Sequence, residues 1–261
     1  MKDVKQNTLK EEKILNFLKK NNDFVWHLSL YEKLESTNDY LIEFANPSEY
    51  CLCVAESQTK GRGRNLKKWQ SPKYENIYMS LSFSTNQELK NFSSFSLVSA
   101  LAVHNVLLGQ NIFTEIKWPN DIYFGDKKLS GILLENQLHG DKQSVVIGVG
   151  VNYALGENLG CETPWIDLTT ISDSVTNIKV LTAAIINTIL AYVKRFEKNG
   201  FEDFQSEWVA YDMLKGQRAK VERASNPFAG EVMGVNSKGA LLILNENGIE
   251  VMYSSEQITY I

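Results

Sequence analysis

An apolar strand, a cationic loop and a strictly alternating strand follow one another between Tyr50 and Ser84, and this succession narrows most what the chain can build. Tyr50 to Glu56 is a short apolar run that reads as a strand. Ile77, Met79, Leu81 and Phe83 alternate with Tyr78, Ser80, Ser82 and Ser84, which predicts a strand with one buried face. Between the two, Ser57 to Tyr74 holds six Lys or Arg residues and no acid, opening with Gln58-Thr59-Lys60-Gly61-Arg62-Gly63-Arg64. The whole chain has a formal net charge of -4, so these cations are a local concentration. Glycine lets the backbone approach a ligand closely. Arginine presents a planar fork of donors that suits carboxylates and phosphates. The loop is therefore expected to hold a small, multiply charged anion, with nucleic acid as the competing reading.

The 261 residues suit one large domain, or one plus a small appendage. Leu9 to Lys20 carries a short helical pattern, and Phe24 to Leu34 reads as a strand. Ser36-Thr37-Asn38-Asp39 is a helix start, with polar cap candidates ahead of Tyr40, Leu41, Ile42 and Phe44, and Pro47 ends that helix. Phe92 to Leu108 is the strongest helix, with Phe95, Val98, Leu101, Ala102 and Val106 as its inward stripe. Glu115 to Trp118 is a short strand. Ile122 to Phe124 and Leu129 to Glu135 form a hairpin about Gly125-Asp126, and Val145 to Tyr153 is a further strand. Residues 154–178 read as a long loop, followed by helices at Val180–Lys198 and Phe201–Trp208. From Gln217 on, short strands are separated by Asn226-Pro227, Asn236-Ser237 and Asn247-Gly248, the pattern of a small β-barrel or sandwich. The expected division is an extension at 1–24, a main domain at 25–211 and a small β domain at 212–261.

Several function classes drop out. No run approaches 18 apolar residues, so no membrane span is expected. Met1 to Lys13 is polar and of mixed charge, without a signal-peptide core, which leaves the cytoplasm as the default. The three cysteines, Cys51, Cys53 and Cys161, lack the even count and spacing of a disulfide framework. Cys51 and Cys53 are expected to share one strand face as buried thiols, and no second Cys or His pair has metal-ligand spacing. His27, His104 and His139 are scattered, and neither Ser57 nor Ser130 has a visible His/Asp setting, so a hydrolase finds no support.

Five polar elements sit at strand ends or adjoining turns: Ser36-Thr37-Asn38, Gly61 to Arg64, Lys117-Trp118-Pro119-Asn120-Asp121, Lys128-Leu129-Ser130-Gly131, and Gly148-Val149-Gly150-Val151-Asn152. Lys117, Asn120 and Asp121 bracket a proline turn and can converge at a sheet edge. Lys128 opens an apolar strand, where low dielectric strengthens its action on an anion; the plainer reading is a solvated hairpin residue. Asn152 reads equally as a strand-end cap, Trp118 reads first as a core residue, and core packing is the lesser reading of Trp69.

Together these elements resemble the biotin–protein ligase catalytic domain. The likeness rests on Glu35-Ser36-Thr37-Asn38, Ala55 to Arg64, Trp69, Lys117 to Asp121, Lys128 to Glu135 and Ile147 to Asn152, in family order. It spans about residues 25–210, with a plausible counterpart of the family's small C-terminal barrel beyond. It implies an α+β fold, a mixed central sheet flanked by helices of the class II aminoacyl-tRNA synthetase type, with a C-terminal SH3-like β-barrel. It implies a ligase that uses ATP and Mg²⁺ to activate biotin as biotinyl-5′-AMP and passes the biotinyl group to one lysine of a carboxylase's biotin carboxyl carrier domain, with no tightly bound prosthetic group. Carried over by motif, Ser36, Thr37 and Asn38 would hold the ureido ring with Gln58 beside it, while Gly131 to Leu133 and the strand around Cys53 would wall the ring and the aliphatic tail. Arg62, Gly63 and Arg64 would close over the biotinyl and phosphate groups, and Lys128 would reach the carboxylate and α-phosphate. Trp69 would stack on adenine and Asn152 would meet its edge, with Lys117, Asn120 and Asp121 at the nucleotide. Asp121 is the candidate Mg²⁺ ligand or base for the incoming amine.

Two departures from the family pattern stand out. Asn65-Leu66-Lys67-Lys68 replaces a further glycine after Arg64, and only about 25 residues precede the core, which predicts a monofunctional enzyme without DNA binding. A lipoate or octanoate ligase of the same fold and a non-catalytic biotin sensor remain the alternatives. An exposed sheet edge would serve either a homodimer or the carrier.

Overall fold

The computed structural model describes residues 26–46, 49–73, 76–87, 92–139, 142–155, 163–222, 227–253 and 257–260. The helix expected at Leu9–Lys20, the extension at 1–24, Pro47, Cys161 and the Leu66 side chain lie outside the described residues.

Seven strands form one mixed sheet: β1 (Trp26–Tyr31), β2 (Tyr50–Ala55), β3 (Asn76–Thr85), β4 (Glu115–Lys117), β5 (Asp121–Phe124), β6 (Lys127–His139) and β7 (Lys142–Asn152). Their order is β1-β2-β3-β7-β6-β5-β4. β1 and β2 are parallel and every other neighbour is antiparallel. The β5–β6 hairpin turns at Gly125, whose φ of 60° suits glycine, where the sequence placed it. β6 and β7 extend beyond the predicted segments as one long antiparallel ribbon.

The alternation in β3 predicted one buried face, but both faces are buried. Ile77, Met79, Leu81 and Phe83 join Val145, Ile147 and Val149 in the main core. That core is roofed by α2 (Phe92–Leu108) and α4 (Ile178–Asn199). Ser80 and Ser82 point to the opposite face, which α1 (Thr37–Phe44) covers; there Leu41 packs on Cys51, Cys53 and Val146. A polar strand face need not be a wet one when a helix start supplies hydrogen-bond partners. The helix α2 is likewise buried on most sides, because α4 packs against its outer surface. Phe95 in its first turn meets Phe83, Phe92 and Phe196 edge to face, while Val106 is only half-buried. The loop expected at 154–178 contains a four-residue helix, α3 (Leu168–Ile171). Asp167 caps it, accepting from Thr170 N at 2.7 Å and from Leu155 N at 2.9 Å. After α4, the chain makes α5 (Gln205–Tyr211). Among the described residues no helix is long and apolar enough to cross a membrane.

The last five strands, β8 (Arg218–Glu222), β9 (Phe228–Val235), β10 (Leu241–Asn245), β11 (Gly248–Met252) and β12 (Gln257–Tyr260), form an antiparallel sheet ordered β11-β10-β9-β8-β12. The expected barrel is not closed: among the described residues β11 and β12 are the two edges and do not pair. Closure needs the edge strands to meet with a fixed stagger. Instead β12 leans on the larger sheet, with Tyr260 Oη donating to Trp118 O at 3.5 Å. Trp118 itself is buried and donates from Nε1 to Gly239 O at 3.0 Å, which matches the packing reading of that residue.

His104 on α2 has no solvent exposure, with Nδ1 2.8 Å from Thr114 Oγ1 and its ring 3.9 Å from that of Tyr211. Burial pushes its pKa down to about 4. The unfolded chain, with an ordinary histidine near 6.5, takes up a proton that the fold refuses. Stability is therefore full above about pH 6.5 and falls as the pH drops toward 4. Urea unfolding at pH 7.5 and pH 4.5 should show this loss, and His104→Gln, which cannot titrate, should show a smaller one. An equal loss in both proteins would remove His104 from the account.

Candidate active site

The site begins at the start of α1. Ser36 caps the helix, its Oγ accepting from Asp39 N at 3.3 Å. Thr37 follows, donating from N at 2.8 Å and from Oγ1 at 3.2 Å to Gln58 Oε1, which ties the helix start to the root of the cationic loop. The Ser80 hydroxyl lies 2.7 Å from Thr37 Oγ1 and 2.5 Å from Asn38 Oδ1. Asn38 Nδ2 donates to Leu133 O at 3.3 Å and to Glu135 Oε2 at 2.7 Å. Ser36, Thr37 and Asn38 are each 4% exposed, so these bonds are shielded from water and hold the side chains rigidly.

Glycines make room for this arrangement. A Cβ on Gly148 would lie 2.2 Å from Asn38 Oδ1, and one on Gly150 would lie 2.6 Å from Trp69 Cε2. A Cβ on Gly131 would lie 3.3 Å from Trp69 Cζ3. Leu133 pairs with Gly148, and Gly131 with Gly150, across β6 and β7. Asn38 and Trp69 thus stand on successive same-face rungs of one ribbon, about 7 Å apart along the strands.

The charges gather on the far side of Trp69. Lys128 Nζ is 2.7 Å from Asp121 Oδ1 and 5.3 Å from the centre of the Trp69 ring. The Lys128 backbone is fixed by Pro164 O at 2.9 Å and by Ile166 N at 3.1 Å. Lys117 Nζ lies over the rings of Tyr260 at 4.8 Å and Tyr123 at 5.3 Å. Arg64 Nη1 donates to Asn120 Oδ1 at 3.5 Å. Burial lowers the pKa of both Lys117 and Arg64, so their charges sit where water screens them poorly. Burial raises Tyr123 to about 12, so its hydroxyl stays protonated at neutral pH. Arg62 differs from these cations. Its Nη1 donates to Glu135 Oε1 at 2.6 Å and its Nη2 donates to Asp39 Oδ1, and these bonds raise its pKa.

These groups surround one cleft of about 960 Å³. Among its described lining residues, Arg62, Arg64, Lys67, Lys68, Lys117 and Lys128 face a single carboxylate, Asp121. Of the residues singled out from the sequence, Ser36, Thr37, Asn38, Gln58, Arg62, Gly63, Arg64, Trp69, Lys117, Asn120, Asp121, Lys128, Gly131 and Asn152 lie on it. Both amides expected at the nucleotide, Asn152 and Asn120, are engaged by neighbours. Asn152 donates to Ile166 O at 3.1 Å and Lys128 O at 3.3 Å and accepts from Asn76 at 3.3 Å, as a strand-end cap does. Asn120 Nδ2 donates to Ile132 O at 2.6 Å. Cys53 does not line the cleft; it is buried beneath α1. The sequence reading missed Tyr123, Trp165, Ile258 and Tyr260 as lining residues, and Glu135 and Asp39 as partners of Arg62. Glu135 was within reach, since it follows Gly131 and Leu133 on one face of β6. Ile258 and Tyr260 arrive from the other sheet with no local signal.

Gly148→Ala should displace Asn38 and cost about 1–3 kcal/mol by overpacking, read from the urea midpoint. Gly150→Ala should lift the Trp69 ring from the sheet, red-shifting an emission component that Trp69→Phe removes. Unchanged emission would mean that the ring is not seated on Gly150.

Residues 30–152 match the model of the biotin/lipoate A/B protein ligase family. The bifunctional ligase/repressor BirA of Bacillus subtilis (strain 168) is 32% identical over 238 residues, which cover 88% of this chain and 73% of that protein. The biotin–[acetyl-CoA-carboxylase] ligase of Paracoccus denitrificans is 26% identical over 233 residues, covering 86% of this chain and 97% of that protein. Among solved structures, the biotin protein ligase from Aquifex aeolicus in complex with biotin and ATP matches with a TM-score of 0.76 and 27% identity, over 90% of this chain and 99% of that one. The chain belongs to the biotin/lipoate A/B protein ligase family, alongside its biotin protein ligases.

Proposed function

We propose that this chain activates biotin with ATP and transfers it to a lysine of a biotin carboxyl carrier domain. The observation that carries the reading is the cleft itself, in which six basic side chains and one carboxylate adjoin a shielded hydrogen-bonding seat. In the first step a biotin carboxylate oxygen bonds to the α-phosphorus of ATP, and pyrophosphate leaves. In the second, the carrier's ε-amine attacks the carbonyl carbon of the mixed anhydride, AMP leaves, and the amine gives up a proton. Both reactants of the first step are anions, so catalysis depends on neutralising and aligning them.

Ser36, Thr37, Asn38 and Gln58 suit the ureido ring, because they offer neutral donors and acceptors in a shielded pocket. Gly131 to Leu133 wall the aliphatic tail. Arg64 and Lys128 lie beyond that seat, where the carboxylate and α-phosphate would meet, with Gly63 allowing the loop close approach. Trp69 offers the face for adenine, with Lys117, Asn120 and Asn152 around the nucleotide. Ile258 and Tyr260 place β12 at this end of the cleft. Mg²⁺ would enter as the metal of the ATP substrate. It takes most of its ligands from phosphate and water, so one protein carboxylate, Asp121, fits it. An anionic nucleotide and its metal would also separate the Lys128–Asp121 pair, leaving Lys128 to the phosphate and Asp121 to the metal or the amine.

Lys128→Ala should lower biotin-dependent ATP–pyrophosphate exchange by about 10²–10³-fold while leaving the thermal midpoint near that of the wild type. Exchange at the wild-type rate would refute the role of Lys128. Exchange driven by lipoate in place of biotin would favour the lipoate ligase. Biotin binding without any exchange would favour a sensor. Transfer is read by mass spectrometry of an isolated carrier domain incubated with biotin, MgATP and the protein.

A further inference from the structure

Arg62 stands apart from the other cations of the cleft. Its guanidinium meets Glu135 of β6 at 2.6 Å and also Asp39 of α1. Two carboxylates from two elements of the body therefore face one arginine of the loop, and little of its charge remains for a substrate anion. The other Glu135 oxygen accepts from Asn38 at 2.7 Å. One carboxylate thus bridges the seat on the cleft floor and the loop above it. Its position follows from β6, where Gly131, Leu133 and Glu135 are successive residues of one face. The loop is a compact unit: Gly63 N donates to Lys67 O at 2.7 Å, Trp69 N donates to Gly61 O at 2.9 Å, and Arg62 bridges to Lys68. A tether at Arg62 consequently holds the whole turn. The Arg62 and Glu135 side chains are 24% and 22% exposed, so water screens their pairing only in part, whereas Asp39 at 47% contributes less.

The geometry points to Glu135, assisted by Asp39, as a positioning residue that latches the glycine-arginine loop over the cleft through Arg62 and joins that latch to Asn38. Arg62 is the tether. Arg64, held by Asn120 at 3.5 Å, is the loop arginine that meets the reacting groups. What the latch retains, the biotinyl-adenylate, rests on the ligase reading; the latch itself does not.

The test has two arms. In the ligand-free protein, trypsin cleavage after Arg64, Lys67 and Lys68 is timed by mass spectrometry. Glu135→Gln keeps an acceptor for Asn38 but removes the charge that holds Arg62, so it should be cut about tenfold faster than the wild type. Asp39→Asn should be cut a few-fold faster, and it carries the same test if Glu135→Gln does not fold. Arg62→Met, which loses the pairs with both Glu135 and Asp39, should be cut at least as fast as Glu135→Gln, and the double variant should be cut no faster than Arg62→Met, because the Glu135 pair is already gone once Arg62 is removed. Wild-type cleavage rates in both carboxylate variants, or additive effects in the double variant, would overturn the latch. In the second arm, with biotin and MgATP, Glu135→Gln should release biotinyl-adenylate about tenfold faster, with the KM for biotin within about twofold of the wild type. A raised KM with unchanged release would overturn the latch in favour of a role in ring binding alone. Absence of adenylate from the wild type would sink the ligase reading, while the proteolysis arm would still decide the latch.

Discussion

Asn38 and Trp69 can stand on the sheet only because the rungs beneath them carry no Cβ: at Gly148 it would lie 2.2 Å from Asn38, and at Gly150 it would lie 2.6 Å from the Trp69 ring. This close approach sets the dimensions of the cleft. It fixes a polar seat at the α1 end and an aromatic one along the same ribbon. It also demands a rigid support, because a soft sheet would let the seats drift. The opposite face supplies that support as a continuous aliphatic and aromatic core under α2 and α4. One ribbon, β6 and β7, therefore has a small-residue face for chemistry and a large-residue face for stability.

Electrostatics follows from the same placement. An acidic protein of net charge -4 brings six basic side chains to one cleft. These cations are not equivalent. Arg62 is matched by Glu135 and Asp39, and Lys128 is paired with Asp121. Arg64 and Lys117 are the ones whose pKa burial lowers. Cations held in poorly solvated surroundings attract an anion more strongly than solvated ones, which suits a reaction between a carboxylate and a triphosphate.

Much of this was legible in the chain. The cap at Ser36, the strand starting at Tyr50, the turn at Gly125 and the loop from Gly61 to Arg64 are local signals, and each appears where its chemistry put it. What failed was non-local. Ser80 and Ser82 look like a solvent face in isolation, and only the arrival of α1 buries them. Nothing local to Gly148 and Gly150 says which side chains they seat. Turn signals in the tail predicted its strands but not whether the edges would meet, and β12 packs on the larger sheet instead. Asn152 shows the limit of motif transfer: it stands at the cleft, yet its amide is engaged by three neighbours.

The most direct measurement is a crystal structure with a non-hydrolysable biotinyl-adenylate analogue. The account predicts the ureido ring against Ser36, Thr37 and Asn38 above Gly148, the phosphate-mimicking group between Arg64 and Lys128, and adenine against the face of Trp69. An analogue bound with its linker away from Arg64 and Lys128, or with its bicyclic ring outside the Asn38 seat, would contradict it.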